Sequence, residues 1–155
     1  MNTPEDDVDF VTMHNILYYI YVGCVNLPFP GSERWKNKFP EPADFPSEAD
    51  AFQLYKSSKK FLVSDLSDHC LRYLKLSLTP CNVSERLFNG DNDLQYHDEV
   101  VEAYIEYLLS NYDKVKVTDT WKESLRREYG DDEGSKFGWS VLCQVTENLV
   151  RKKDG

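Results

Sequence analysis

Residues Ile16–Leu27 read ILYYIYVGCVNL, and how this stretch divides decides the fold. Its two halves carry different periods. Extended upstream, Val8, Val11, Ile16, Leu17, Ile20 and Tyr21 share a broad stripe of a helical repeat, which predicts a helix ending near Val22. Gly23 suits the left-handed residue that closes a helix. Cys24-Val25-Asn26-Leu27 then reads as a short strand before Pro28 and Pro30, with no obvious partner strand. The stretch is two elements, helix then strand.

From Pro28 to Pro46 come five of the seven prolines with Gly31 and several charges. Proline removes backbone donors and fixes φ, so this segment reads as a long surface loop. Ser47 is placed to cap the next helix, with Asp50 reaching back from three residues on. Ala51, Phe52, Tyr55, Ser58 and Leu62 form the expected inner face of that helix. After a break near Val63-Ser64, the pattern repeats through Leu66, Cys70, Tyr73, Leu74 and Ser77 until Thr79-Pro80 stops it, giving a helical hairpin.

A short helix follows from Asn82 to Phe88, closed by Asn89-Gly90, with Asp91-Asn92-Asp93 as a turn. HDEVVEAYIEYLLSNYDKV carries the clearest amphipathic pattern in the chain. Val100, Val101, Tyr104, Ile105, Leu108 and Leu109 point inward and Asp98, Glu99, Glu102 and Glu106 outward. Thr118-Asp119-Thr120 offers caps for a helix carrying Trp121 and Leu125, with Glu123 three residues after Thr120. A last helix, Lys136 to Arg151, is expected to bury Phe137, Val141, Leu142, Val145 and Leu149. The fold class read from these patterns is mainly α with one short strand.

Composition bounds the function. The 155 residues are 41% hydrophobic and 14% aromatic, enough to bury a core. The net charge of −9 disfavours nucleic acid and anionic membrane surfaces, where counterion release rewards Lys and Arg, so no nucleic acid and no membrane is expected as partner. The four cysteines lack close pair spacing and read as reduced thiols. An acidic N-terminus and the lack of a long apolar run give the expectation of a cytoplasmic or nuclear protein.

Nothing in the chain spells out catalysis, a cofactor or a metal. His14, His69 and His97 have no ligand partner at established metal spacing, and Cys70 sits on an apolar stripe as a small core residue. Glu99, Glu102 and Glu106 share a helix face that reads as solvated, because a hard cation needs oxygens converging from a loop or cleft. Asn82-Val83-Ser84 fits a glycosylation sequon that a cytosolic chain would not use, and Lys56, Lys59 and Lys60 form a local positive patch that solubility explains.

Two segments also carry a family resemblance. ILYYIYVGCVNL resembles the "lL-Y-x-Y-t-G-x-v-x-l" segment of BTB/POZ domains. AFQLYKSSKKFLVSDLSDHCLRYL is similar to that family's next two helices, with Leu54, Phe61, Val63, Leu66, Cys70, Tyr73 and Leu74 in register and Ser58 in place of the usual alanine. NVSERLFN and the Val100 to Tyr112 helix, followed by KVKVTDTW, look like the start of a BACK-type helical extension. The resemblance implies a partial BTB/POZ domain over residues 1–80, with the loop at 28–46, then a BACK-like region over 81–128 and a helical tail over 129–155. It also implies core positions for Tyr18 and Tyr21.

The family's N-terminal helix, three-stranded sheet and second helix have no counterpart here, nor do its usual dimerisation surface and hydrophobic-x-Glu motif. What the resemblance implies is a non-catalytic protein-interaction module, with self-association and a substrate-adaptor role toward a cullin ubiquitin ligase as expectations. Its interaction residues would be Asp7, Phe10 and His14 at the start of the first helix, and Asp65, Asp68 and Arg72 on the hairpin. The alternatives are transcriptional or scaffolding assembly without ubiquitin chemistry, and an N-terminally truncated product.

Overall fold

The computed structural model describes residues 8–28, 43–88, 92–129 and 136–153. Among these residues are eight α-helices and a 3-10 turn, and no strand. The chain divides into two compact units, Met1–Ser77 and Leu78–Gly155.

In the first unit, helix α1 spans Phe10–Val22. Its start is set by Asp9, whose carboxylate accepts the Thr12 N–H at 3.0 Å and the Thr12 hydroxyl at 2.6 Å. These bonds favour the ionised carboxylate and hold it below its usual range. Its end is set by Gly23 at φ 78°, whose N–H donates to the Tyr19 carbonyl. A residue with a Cβ would be strained there.

The segment after Gly23 corrects the expected strand at Cys24 to Leu27. It runs without a ladder because its polar groups go elsewhere. The Asn26 N–H donates to the Asn15 side chain at 2.9 Å, and the Asn26 carbonyl accepts the Ala49 N–H at 2.9 Å. The Asn26 amide donates in turn to the Pro46 carbonyl at 2.9 Å. Side-chain amides thus do the work that a neighbouring strand would do.

The same network corrects the orientation of α1. Thr12, Asn15 and Ile16 are buried, whereas Leu17, Ile20 and Tyr21, expected on the inner stripe, are exposed. Asn15 needs three hydrogen-bond partners in the interior, and turning it inward turns the Leu17–Tyr21 stripe out. Tyr18 is half-buried with its ring edge-on to Phe45, 5.6 Å between centroids.

Helix α2 covers Ala51–Lys60 and α3 covers Ser64–Leu76. The cap of α2 is Asp50, which accepts the Gln53 N–H at 2.8 Å, rather than the expected Ser47. The Ser47 carbonyl is engaged by Asn15 at 2.8 Å, so the chain is still extended there. Ala51, Leu54, Tyr55 and Ser58 of α2 and Leu66, Cys70 and Leu74 of α3 are buried in a paired-helix core. Ser58 is tolerated where an alanine would fit because its hydroxyl donates to the Tyr55 carbonyl at 2.8 Å.

Leu62, expected on the inner face of α2, is instead 88% exposed at φ 58°. It occupies the left-handed position of a Schellman closure. Its N–H bonds to the Lys59 carbonyl at 3.2 Å, and the Val63 N–H bonds to the Ser58 carbonyl at 2.9 Å. Reversing the chain between α2 and α3 takes precedence over burying one leucine.

In the second unit, Thr79 and Asn82 cap each other reciprocally. The Thr79 N–H donates to Asn82 Oδ1 at 2.8 Å and the Asn82 N–H to Thr79 Oγ1 at 3.2 Å. Helix α4 follows at Val83–Phe88 and buries Val83, Ser84 and Leu87. The expected closing pair Asn89-Gly90 lies outside the described residues. Asn92–Tyr96 is a 3-10 turn, and α5 spans Asp98–Ser110 with Val100, Ala103, Tyr104, Ile105 and Leu108 buried. Val101 and Leu109, at the edges of the predicted stripe, are half-buried.

The single turn α6, Tyr112–Val115, leads to α7, Asp119–Tyr129. Thr118 caps α7, its hydroxyl oxygen accepting the Trp121 N–H at 3.3 Å. Thr120, one of the residues expected to cap, donates instead to the Cys81 carbonyl at 2.8 Å. Trp121 is buried edge-on to Phe88 and Tyr112, 6.1 and 6.0 Å between centroids. Helix α8, Lys136–Lys153, buries Val141, Leu142 and Val145 and packs on α5 and α4. Leu149 is half-buried, and the Phe137 side chain lies outside the described residues.

Candidate protein-interaction surface

From Phe10 to Leu27 the chain has no Asp, Glu, Lys or Arg. Solvent-facing helix surface ordinarily carries charge, yet α1 presents Phe10 (80% exposed), Leu17 (47%), Ile20 (55%) and Tyr21 (84%) to solvent. The four residues follow one another at helical spacing, so they form a single stripe. Contiguous apolar surface of this kind is a candidate interaction site. No helix among the described residues is long and apolar enough to cross a membrane.

The residues expected to bind protein fall on two helices. Asp7 lies outside the described residues. Phe10 and His14 stand one turn apart on α1 with their rings 5.6 Å apart, which joins them to the apolar stripe. Asp65, Asp68 and Arg72 are all exposed on α3, and their spacing puts them on one face, away from Leu66, Cys70 and Leu74. The two groups are on separate elements: α1 packs on α2, and α2 packs on α3.

Leu17, Ile20 and Tyr21 were expected in the core, so the largest part of the stripe was not legible as surface. The signal that could have found it was Asn15, a buried-network residue opposite them on the helix. The α2–α3 turn adds exposed Phe61 and Leu62 as a second apolar point.

Other groups offer less. Burial pushes the Cys70 thiol up to about 12, which leaves it protonated and unreactive at neutral pH. Lys56 and Lys59 lie over the Phe52 and Tyr55 rings at 5.2 and 5.6 Å, so the basic patch of α2 covers aromatic surface. Among the described residues no group of three His, Cys, Asp or Glu side chains gathers in metal-binding geometry. An open groove of about 430 Å³ between α4 and α7 is lined by Glu85, Asp119, Lys122, Glu123, Arg126 and Arg127. Its charges neutralise one another: Lys122 pairs with Asp119 at 3.6 Å, and Arg126 and Arg127 with Glu123 at 3.3 and 3.7 Å.

Comparison with known proteins found no matching family model, no matching curated protein and no matching solved structure.

Proposed function

We propose that this chain is a non-catalytic protein-interaction module of the BTB/POZ type. The single observation that supports this most is the charge-free outer stripe of α1, because exposed Phe, Leu, Ile and Tyr at helical spacing gain stability only when another surface covers them. The sequence resemblance of the α1 segment and of the α2–α3 hairpin supplies the family.

The finer form of the proposal is a substrate adaptor that docks the N-terminal domain of a cullin through Phe10 and His14 on α1 and Asp65, Asp68 and Arg72 on α3. What supports it is that the α3 group is exposed on one face and Phe10 is free to act as an apolar anchor. With few anchors to supply the binding energy, the affinity should be modest, with a dissociation constant of about 10 µM or weaker. Calorimetric titration of a cullin N-terminal domain into the purified chain tests this. Heat that saturates and is lost in Asp68→Lys supports the adaptor role. A folded sample that gives no heat removes the adaptor role and leaves assembly without ubiquitin chemistry.

A further inference from the structure

We infer that Ser47 is a phosphorylation site for an acid-directed protein kinase, one that reads the carboxylates of Asp44, Glu48 and Asp50 around the serine. The inference goes beyond the interaction-module reading and does not rest on it.

The Ser47 hydroxyl is left over from helix capping. Its place in the sequence suits it to cap α2, but Asp50 holds that position and accepts the Gln53 N–H at 2.8 Å. The Ser47 side chain is exposed, and among the described residues its hydroxyl makes no hydrogen bond. The other exposed serines and threonines of the described residues are placed differently. Ser64, Ser110, Ser140 and Thr146 lie within helices, and the Thr79 hydroxyl oxygen accepts the Asn82 N–H at 3.2 Å.

A kinase takes its substrate as extended chain, so that the hydroxyl reaches the γ-phosphorus of ATP in line. Residues 46–49 offer that arrangement. The Pro46 carbonyl accepts the Asn26 amide at 2.9 Å, the Ser47 carbonyl accepts the Asn15 amide at 2.8 Å, and the Ala49 N–H donates to the Asn26 carbonyl at 2.9 Å. Pro46 and Ala49 are buried, whereas Ser47 and Glu48 between them are exposed. The segment is anchored at both ends and presents the serine without a helix having to unwind.

Charge selects the class of kinase. From Phe39 to Tyr55 the chain has no Lys or Arg, while Glu41, Asp44, Glu48 and Asp50 are acidic. Asp44, Glu48 and Asp50 are exposed, three residues before the serine and one and three residues after it. A substrate groove lined by Lys and Arg complements that pattern, and one lined by carboxylates is repelled by it. In the reaction Ser47 Oγ attacks the γ-phosphorus of Mg-ATP, the bond from that phosphorus to the β–γ bridging oxygen breaks, ADP leaves, and the hydroxyl proton passes to the kinase's catalytic carboxylate. The product places a phosphate of about −1.5 to −2 charge beside Glu48, on the residue whose carbonyl holds Asn15 of α1.

The test incubates the purified chain with Mg-ATP and an acid-directed serine/threonine kinase, and in parallel with a kinase selective for basic substrates, and maps the phosphate by mass spectrometry. The expected result is phosphate on Ser47 from the first kinase and none there from the second. Asp50→Asn and Glu48→Gln should each lower kcat/KM at least about fivefold. Asn caps a helix as Asp does, so circular dichroism should show the Asp50→Asn variant folded. Because the folded chain already presents the serine, its rate should lie within about tenfold of that of an unstructured peptide carrying residues 41–53. A slower folded chain would show that the segment hides the hydroxyl, and would overturn the inference. Thr3 and Ser110 also have an aspartate three residues on, Asp6 and Asp113. Phosphate on either of these with Ser47 unmodified, or a rate indifferent to Asp50→Asn, would overturn it equally.

Discussion

Asn15 holds Asn26: its side-chain oxygen, fully buried, accepts the Asn26 N–H at 2.9 Å while its amide donates to the Val11 carbonyl at 3.0 Å and the Ser47 carbonyl at 2.8 Å. One side chain therefore ties α1 to the segment that follows it and to the approach to α2. In the first unit this network replaces a strand pairing and aims the outer stripe of α1 at solvent.

Asn15→Leu keeps the branched shape of the side chain, at a larger volume, and removes all three bonds. It should destabilise the protein by about 2 kcal/mol or more, since the polar groups left behind lose their partner in a partly buried setting. Urea denaturation of the variant against the parent measures it. A loss below about 0.5 kcal/mol would mean that water replaces the amide at no cost, and that Asn15 does not orient α1.

Leu62 and Leu66, four residues apart, should respond in opposite directions. Leu66 is fully buried between α2 and α3, so Leu66→Ala should cost about 2–5 kcal/mol through lost burial and the cavity left behind. Leu62 is held in the left-handed region and exposed, so Leu62→Gly should gain on the order of 0.5 kcal/mol, strain relief outweighing the added freedom of the unfolded chain. Thermal melts of the two variants suffice. A Leu62→Gly variant markedly less stable than the parent would show that the leucine contributes contacts its exposure does not suggest.

Cys70 makes stability fall in alkali. Its thiol is pushed from 9.0 up to about 12 by burial, so below pH 9 both folded and unfolded chains hold the proton. Between about 9 and 12 the unfolded chain releases that proton and the folded chain does not. Stability from this group should therefore drop by about 1.4 kcal/mol per pH unit in that window. Denaturation midpoints from pH 8 upward, compared with Cys70→Ala, isolate the contribution. A thiol reagent at neutral pH should modify Cys24, Cys81 and Cys143 quickly and Cys70 only on unfolding.

Two buried serines of the second unit should differ in sign. The Ser84 hydroxyl on α4 is buried with no hydrogen-bond partner, so Ser84→Ala should stabilise by about 1 kcal/mol. The Ser124 hydroxyl on α7 is also buried but donates to the Thr120 carbonyl at 2.8 Å, and Ser124→Ala should cost about 0.5–1 kcal/mol. Equal effects in the two variants would show that the Ser84 hydroxyl is solvated.

The residue pattern alone determined α5 and the α2–α3 hairpin. In α5 the charges sit on one side and the aliphatics on the other, so a single rotation of the helix satisfies both. In the hairpin, Leu66, Cys70 and Leu74 can share only one face of a helix. The exposure of Asp65, Asp68 and Arg72 followed from the same spacing, which is why that part of the candidate surface was legible. Tertiary structure decided the rest. With apolar residues on nearly every side, α1 has no period that fixes which side faces inward, and the choice falls to hydrogen bonds that Asn15 makes to Ser47, 32 residues away in sequence. The segment from Cys24 to Leu27 has strand-like residues, but a strand exists only if another backbone offers its polar groups, and here the side chain of Asn15 and the backbone of Ala49 take them first. Leu62 is exposed because the chain must reverse there, and one leucine's burial is worth less than the packing of two helices. Local periodicity sets what each element is, and long-range polar bonds set which way it faces.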